Sequence, residues 1–190
     1  AAAPAAPMLL LSRRTSSNVR FVHSALASRP LPQARAQDGG RRRGTVFREV
    51  QVVIAPGTKP LLFFPLVALV EAGDEVIYPD PGFPIYRSMI EFTGARPVPV
   101  PIREENGFAF SAEETLSLIT PQTRLLILNS PANPCGGVTP RTEIELLVKG
   151  LEERPDVAIM SDEIYDQMLY DDEEHVTLLE FPQIRDRLIL

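Results

Sequence analysis

Cysteine, lysine and long apolar runs are all scarce in this sequence, and each scarcity excludes something. A single cysteine, Cys135, among 190 residues cannot close an internal disulfide, so nothing argues for a cross-linked secreted scaffold and a reducing compartment is favoured. The longest apolar stretch, Leu61 to Val70, is interrupted by Pro65. It falls well short of the roughly 20 residues a membrane span requires, so no membrane partner is expected. Only two lysines occur, Lys59 and Lys149. The two histidines, His23 and His175, have no partner at recognisable spacing, so neither is given a role and no metal site is expected.

Acids are scarce at one end only. Residues 1–44 hold eight arginines, no lysine and one acid, Asp38, for a charge of +7; the rest of the chain carries −13 of the net −6. Met8 to Val22 could form a short basic amphipathic helix like those of organellar transit peptides; a disordered arginine-rich extension accounts for the same composition. Localisation therefore stays open between cytoplasm and mitochondrial matrix. Arg41 to Arg43 lack the aromatic interleaving of a nucleic-acid surface, so no nucleic-acid partner is expected. The division expected is an arginine-rich extension over 1–45 and a folded unit over 46–190.

The remainder has an ordinary globular composition, 44% hydrophobic and 23% charged over the whole chain. From Val46 onward, short β-branched runs alternate with helix-length segments, the pattern of βαβ units and an α/β fold with a mostly parallel sheet flanked by helices. Strands are expected at Val50–Ala55, Glu75–Tyr78, Arg96–Val100, Arg124–Asn129, Val157–Ser161 and Arg187–Leu190. A helix from Gly57 to about Glu71 should be kinked at Pro65 and capped by Gly73. Another should follow Pro84. Ser111 and Glu114 have capping-box spacing, and Thr139-Pro140 reads as an N-cap with proline at the first helical position, opening a helix that runs to about Glu153.

Ligands of open α/β sheets bind beyond the carboxyl ends of the strands, so the residues just past each strand matter most. Gly57-Thr58-Lys59 leads into a helix whose free N–H groups could hold a phosphate, although a plain structural cap is the better explanation of this signal taken alone. Phe83, in the proline-rich loop Pro79 to Pro84, could pack on a flat ring or belong to the core. Asn133 sits in a run of turn formers, Asn129 to Gly137, where its amide could donate to a ligand oxygen. Asp162 ends a buried strand, and a carboxylate there is costly unless paired; a helix cap or solvated strand end is the alternative.

PGTKPLLF, YPDPGFPIYRSM, NSPANPCGG and SDEIYDQMLYD, in this order and spacing, resemble the class I/II aminotransferases, fold-type I enzymes dependent on pyridoxal 5′-phosphate. The resemblance covers roughly residues 50–190, part of the family's large domain. It implies that Gly57, Thr58 and Lys59 belong to the phosphate cup and that Phe83 stacks on the pyridine ring. Asn133 and Tyr165 would bond the ring's phenolic oxygen, and Asp162 would face the pyridine nitrogen. It also implies amino-acid and 2-oxo-acid substrates and, for an intact enzyme, a homodimer.

The departures from the family count as well. Its Schiff-base lysine stands in a Ser-x-x-Lys setting, which neither Lys59 nor Lys149 has, and the arginine that clamps substrate carboxylates has no counterpart. No catalytic residue is therefore assigned, and the chain is expected to be an inactive, incomplete large domain. Alternatives are a non-catalytic or misfolded remnant and another activity of the same fold, such as a C–S lyase. An ATPase is disfavoured, because the Asp162-Glu163 strand end has no G-x-x-x-x-G-K-[ST] loop to go with it.

Overall fold

Alternating side chains along the central strand set the architecture. In Thr123–Asn129, Leu125 and Ile127 point to one apolar cluster while Leu126 and Leu128 point to another, as period-two geometry requires of a strand covered on both faces. The structure is a computed structural model and describes residues 20–21 and 52–190. Apart from that dipeptide, the expectations placed on residues 1–45 lie outside the described residues.

The elements in chain order are β1 (Arg20–Phe21), β2 (Val52–Val53), α1 (Thr58–Leu69), β3 (Glu75–Asp80), α2 (Ile85–Phe92), β4 (Arg96–Pro101), α3 (Ala112–Ser117), β5 (Thr123–Asn129), α4 (Arg141–Glu152), β6 (Ala158–Asp162) and β7 (Leu188–Ile189). β1 and β2 form a parallel pair. The main sheet has five strands, all parallel, in the order β4-β3-β5-β6-β7. The chain reverses its direction of travel between β3 and β5, and such a switch point opens a crevice at the strands' carboxyl ends.

One face is covered by α1 and α2, where Leu62, Leu66, Tyr86 and Ile90 pack on Val76, Leu125, Ile127 and Met160. The other is covered by α3, α4 and two short 3-10 helices, where Ile144, Leu147, Leu151 and Leu178 pack on Ile77, Leu126, Leu128 and Ile159. Each such fully buried side chain contributes about 1.5–3 kcal/mol from apolar area alone. Among the described residues no helix is long and apolar enough to cross a membrane.

Several local expectations are corrected. α1 ends at Leu69 with Val70 already extended; Gly73, at φ +92°, serves the turn into β3, where Asp74 N–H bonds the Glu71 carbonyl. Ser111 Oγ does accept from Glu114 N–H at 3.3 Å, but the Glu114 carboxylate is taken by Arg103 at 2.6 and 2.9 Å, so only half of the capping box forms. Thr139 does not cap α4: its hydroxyl accepts from the Phe110 N–H and its own N–H donates to Ser130 Oγ. Pro140 is the extended residue before the helix, and its carbonyl takes the first N–H groups. The last strand is shortened to Leu188–Ile189 because Pro182–Arg187 winds into a 3-10 helix. From that helix Arg187 donates to the Leu151 carbonyl in the last turn of α4 and to the Arg154 and Val157 carbonyls beyond it, supplying donors that the helix terminus lacks.

Candidate functional site

At the carboxyl ends of β3, β5 and β6, facing the start of α1, lies a cavity of about 450 Å³. All residues singled out from the sequence line it: Gly57, Thr58 and Lys59, then Phe83, Asn133, Asp162 and Tyr165. They come from segments far apart in the chain, so the sheet topology brings them together.

Gly57 precedes α1 with φ +103° and ψ 163°, a backbone region essentially confined to glycine. Nothing lies within 4 Å of where its Cβ would be. The helix that follows has no acidic residue in its first turn and no side-chain cap among the described residues, so its free N–H groups and positive dipole end suit an anion. Thr58 and Lys59 are its first two residues.

Asp162 closes β6 opposite this helix start. Its Oδ2 accepts from Tyr86 Oη at 2.7 Å, and its Oδ1 has only a long contact, 3.4 Å, with the Ile164 N–H. Burial pushes its proton affinity up, and the Tyr86 and Ile164 bonds oppose that without cancelling it. An ionised carboxylate with little water and one strong donor calls for a cationic neighbour. Burial, then the adjacent Asp162 charge, also drive the Tyr86 phenol far above its ordinary value, so it is a fixed donor.

Asn129, the last residue of β5, organises the third side. Its Nδ2 donates to the Asp162 carbonyl at 2.9 Å and its Oδ1 accepts from the Asn133 N–H at 2.8 Å, which locks the loop after β5 to the end of β6. Asn133 Nδ2 in turn donates to Tyr165 Oη at 3.3 Å. Tyr165 keeps its own hydroxyl hydrogen and Asn133 a second amide hydrogen, two donors left for one further acceptor. Phe83 meets Tyr86 edge to face, with centroids 5.7 Å apart and planes at 82°.

Tyr86 and Asn129 were not singled out from the sequence. Tyr86 follows Phe83 by three residues, a helical spacing that puts both aromatics on one side. Asn129 was readable as a polar residue ending the apolar run Leu125 to Leu128, and it is only 2% exposed.

A parallel sheet flanked by helices, with a helix start, a half-buried carboxylate and an amide–phenol pair around one crevice, describes an α/β large domain with a cavity at its strands' carboxyl ends. The family model for aminotransferases of class I and II matches residues 33–189, and the chain belongs to that family, whose members depend on pyridoxal phosphate. The chain is 42% identical over 159 residues to the arginine–pyruvate transaminase AruH of Pseudomonas aeruginosa, covering 84% of this chain and 40% of that protein. It is 36% identical to an aspartate/prephenate aminotransferase of Cereibacter sphaeroides, again over 84% of this chain and 40% of the relative. Among solved structures, the aspartate aminotransferase from Rhizobium meliloti superposes with a TM-score of 0.81 at 28% identity, covering 90% of this chain and 43% of that one. N-Succinyldiaminopimelate aminotransferase from Mycobacterium tuberculosis gives 0.79 at 29% identity, over 87% of this chain and 43% of its own. The chain thus spans about 40% of the length of the curated relatives it matches.

Proposed function

We propose that this chain supplies the cofactor-holding part of an aminotransferase, and that the whole protein moves an amino group between an amino acid and a 2-oxo acid. The observation that carries the reading is the half-buried Asp162 carboxylate, held by Tyr86 and facing a cavity whose other side is a helix start with no acidic residue in its first turn.

The donor set fits pyridoxal phosphate. The N–H groups of Thr58 and Lys59, in the helix start that Gly57 shapes, suit its phosphate and Phe83 its ring face; the spare hydrogens of Asn133 and Tyr165 suit the phenolic oxygen, and Asp162 suits a protonated ring nitrogen. When bound, the cofactor offers an electron-poor ring that accepts charge from the substrate's α-carbon. Asp162 would hold a proton at the ring nitrogen and so keep that ring electron-poor. Tyr86 fixes the carboxylate, and Asn133 and Tyr165 would fix the ring's rotation. Lys149 lies on α4, the helix covering the opposite sheet face, and Lys59 serves the helix start. The chain's residues therefore hold the cofactor rather than react with it.

A homodimer is proposed for the whole protein. Phe64, Val67 and Phe92 on α1 and α2 are 48, 55 and 77% exposed, and apolar side chains left open together favour a covering surface.

Equilibrium dialysis of the chain against pyridoxal phosphate tests the reading. Saturable one-site retention is expected, competed by inorganic phosphate and weakened about tenfold or more by Asp162→Asn. Absence of saturable retention by a chain with its helical and sheet circular dichroism intact would overturn it.

A further inference from the structure

Strand β6 sends successive side chains to opposite faces. Asp162 turns to the cavity, so Glu163 turns away from it, to the side where Ser161 Oγ donates to Glu163 Oε1 at 3.0 Å. The same oxygen accepts from Thr177 Oγ1 at 3.1 Å and from the Leu178 N–H at 3.2 Å. Glu163 Oε2 lies 3.1 Å from His175 Nε2, an ion-pair distance without hydrogen-bond geometry, with only 3% of the Glu163 side chain and 10% of His175 exposed. A buried carboxylate surrounded in this way is costly to assemble and costly to leave half-made, yet nothing in the cofactor reading uses it.

Three of its partners, His175, Thr177 and Leu178, lie where the chain returns from a loop that leaves β6 at Ile164. Glu163 therefore joins the two ends of the segment 164–174, a closed surface loop of the Ω type. Inside it, Asp171 and Asp172 have φ of +54° and +62°, in a turn closed by the Glu173 N–H on the Tyr170 carbonyl at 3.0 Å. Such strained backbone persists only where surrounding structure holds it. The loop has little core of its own, since Ile164, Met168 and Tyr170 are 48, 56 and 72% exposed. Tyr165, near one of its ends, reaches Asn133 in the cavity.

We propose that His175 is a positioning residue: paired with Glu163, it ties off the 164–174 loop and thereby sets Tyr165 against Asn133. In its effect on cofactor retention the proposal rests on the function proposed above; in its effect on Tyr165 it does not.

The test uses the full chain labelled with 3-fluorotyrosine, whose reporters are Tyr78, Tyr86, Tyr165 and Tyr170, with the loop signals assigned by Tyr165→Phe and Tyr170→Phe. His175→Ala is expected to shift or broaden the fluorine resonance of Tyr165 while Tyr78 and Tyr86, buried in the core, stay in place. His175→Gln, whose amide can donate to Glu163, is expected to restore it. Retention of pyridoxal phosphate should weaken about tenfold in His175→Ala and recover in His175→Gln. A Tyr165 resonance unmoved by His175→Ala overturns the proposal. So does movement of all four signals together to unfolded positions, which would make His175 a general core residue. If the unsubstituted chain retains no pyridoxal phosphate, the cofactor reading fails while the tyrosine spectra still decide the role of His175.

Discussion

The Tyr86 hydroxyl donates to Asp162 Oδ2 at 2.7 Å across a separation of 76 residues, joining the first turn of α2 to the end of β6. The phenol is buried and the carboxylate half-buried, and the bond decides how the cavity's carboxylate is held. Removing it with Tyr86→Phe leaves a half-buried acceptor without its strong donor. A loss of about 1–2 kcal/mol in urea denaturation is expected, together with weaker retention of pyridoxal phosphate. An unchanged unfolding midpoint would show that the bond has no energetic weight.

Asp162 itself should cost the chain stability. Its proton affinity is raised by burial, with the Tyr86 bond opposing, so the folded state binds a proton more tightly than the unfolded one. Stability then falls as pH rises from below 3.8, the ordinary value, through the raised folded value. Asp162→Asn should be more stable than the parent chain at neutral pH, and the difference should vanish in acid. Guanidinium titrations at several pH values read this directly, and a variant less stable at neutral pH would contradict it.

Glu75, at the opposite ends of the strands, should behave with the reverse sign. Burial pushes its proton affinity up, but the Thr120 hydroxyl and the Arg96 guanidinium outweigh that and hold it below 4.5. Its contribution is therefore present above 4.5 and lost as pH falls through the lower folded value. Glu75→Gln should cost about 1–2 kcal/mol at neutral pH and nothing in acid, by the same titrations.

How much of this was legible beforehand follows from the range of the interactions. β3, β5 and β6 were readable because buried parallel strands are short apolar runs, and β4, an edge strand, because Val98 and Val100 alternate toward the core; the cavity residues were readable because they sit just past predicted strands. Interactions between distant segments left no local trace. Ser111 and Glu114 have capping-box spacing, but Arg103 competes for the carboxylate. Thr139 stands where a cap should, but the Phe110 N–H claims its hydroxyl. His175 carries no motif, and its partner Glu163 was read only as the neighbour of Asp162. Tyr86 was visible as an aromatic but not as the donor to a residue two strands away.

Gly57 provides a test of backbone rather than side chain. Its φ of +103° with ψ of 163° excludes an ordinary L residue, although no atom lies within 4 Å of a Cβ there. Gly57→Ala should therefore cost about 1–3 kcal/mol through strain alone, and any relaxation would turn the N–H groups at the helix start away from the cavity. Calorimetry and competition by inorganic phosphate separate the two effects.

Reduction with borohydride in the presence of pyridoxal phosphate should leave no stoichiometric label at one lysine. Lys149 sits on the helix covering the far face of the sheet, and Lys59 is an exposed residue in the first turn of α1. Peptide mass mapping checks this; a single fully labelled peptide containing either lysine would overturn the assignment of a holding role alone.

The adjacent carboxylates at the end of β6 also limit how this gene segment can change. Asp162 belongs to the cavity and Glu163 to the loop closure because they fall on opposite sides of the sheet. Inserting or deleting one codon within 158–161 would exchange them, putting each carboxylate where the other's partners are not. Substitutions along the strand change one contact at a time, whereas a change of length dismantles the cavity and its supporting loop together. Drift in this stretch should therefore proceed by replacement of residues and almost never by their gain or loss.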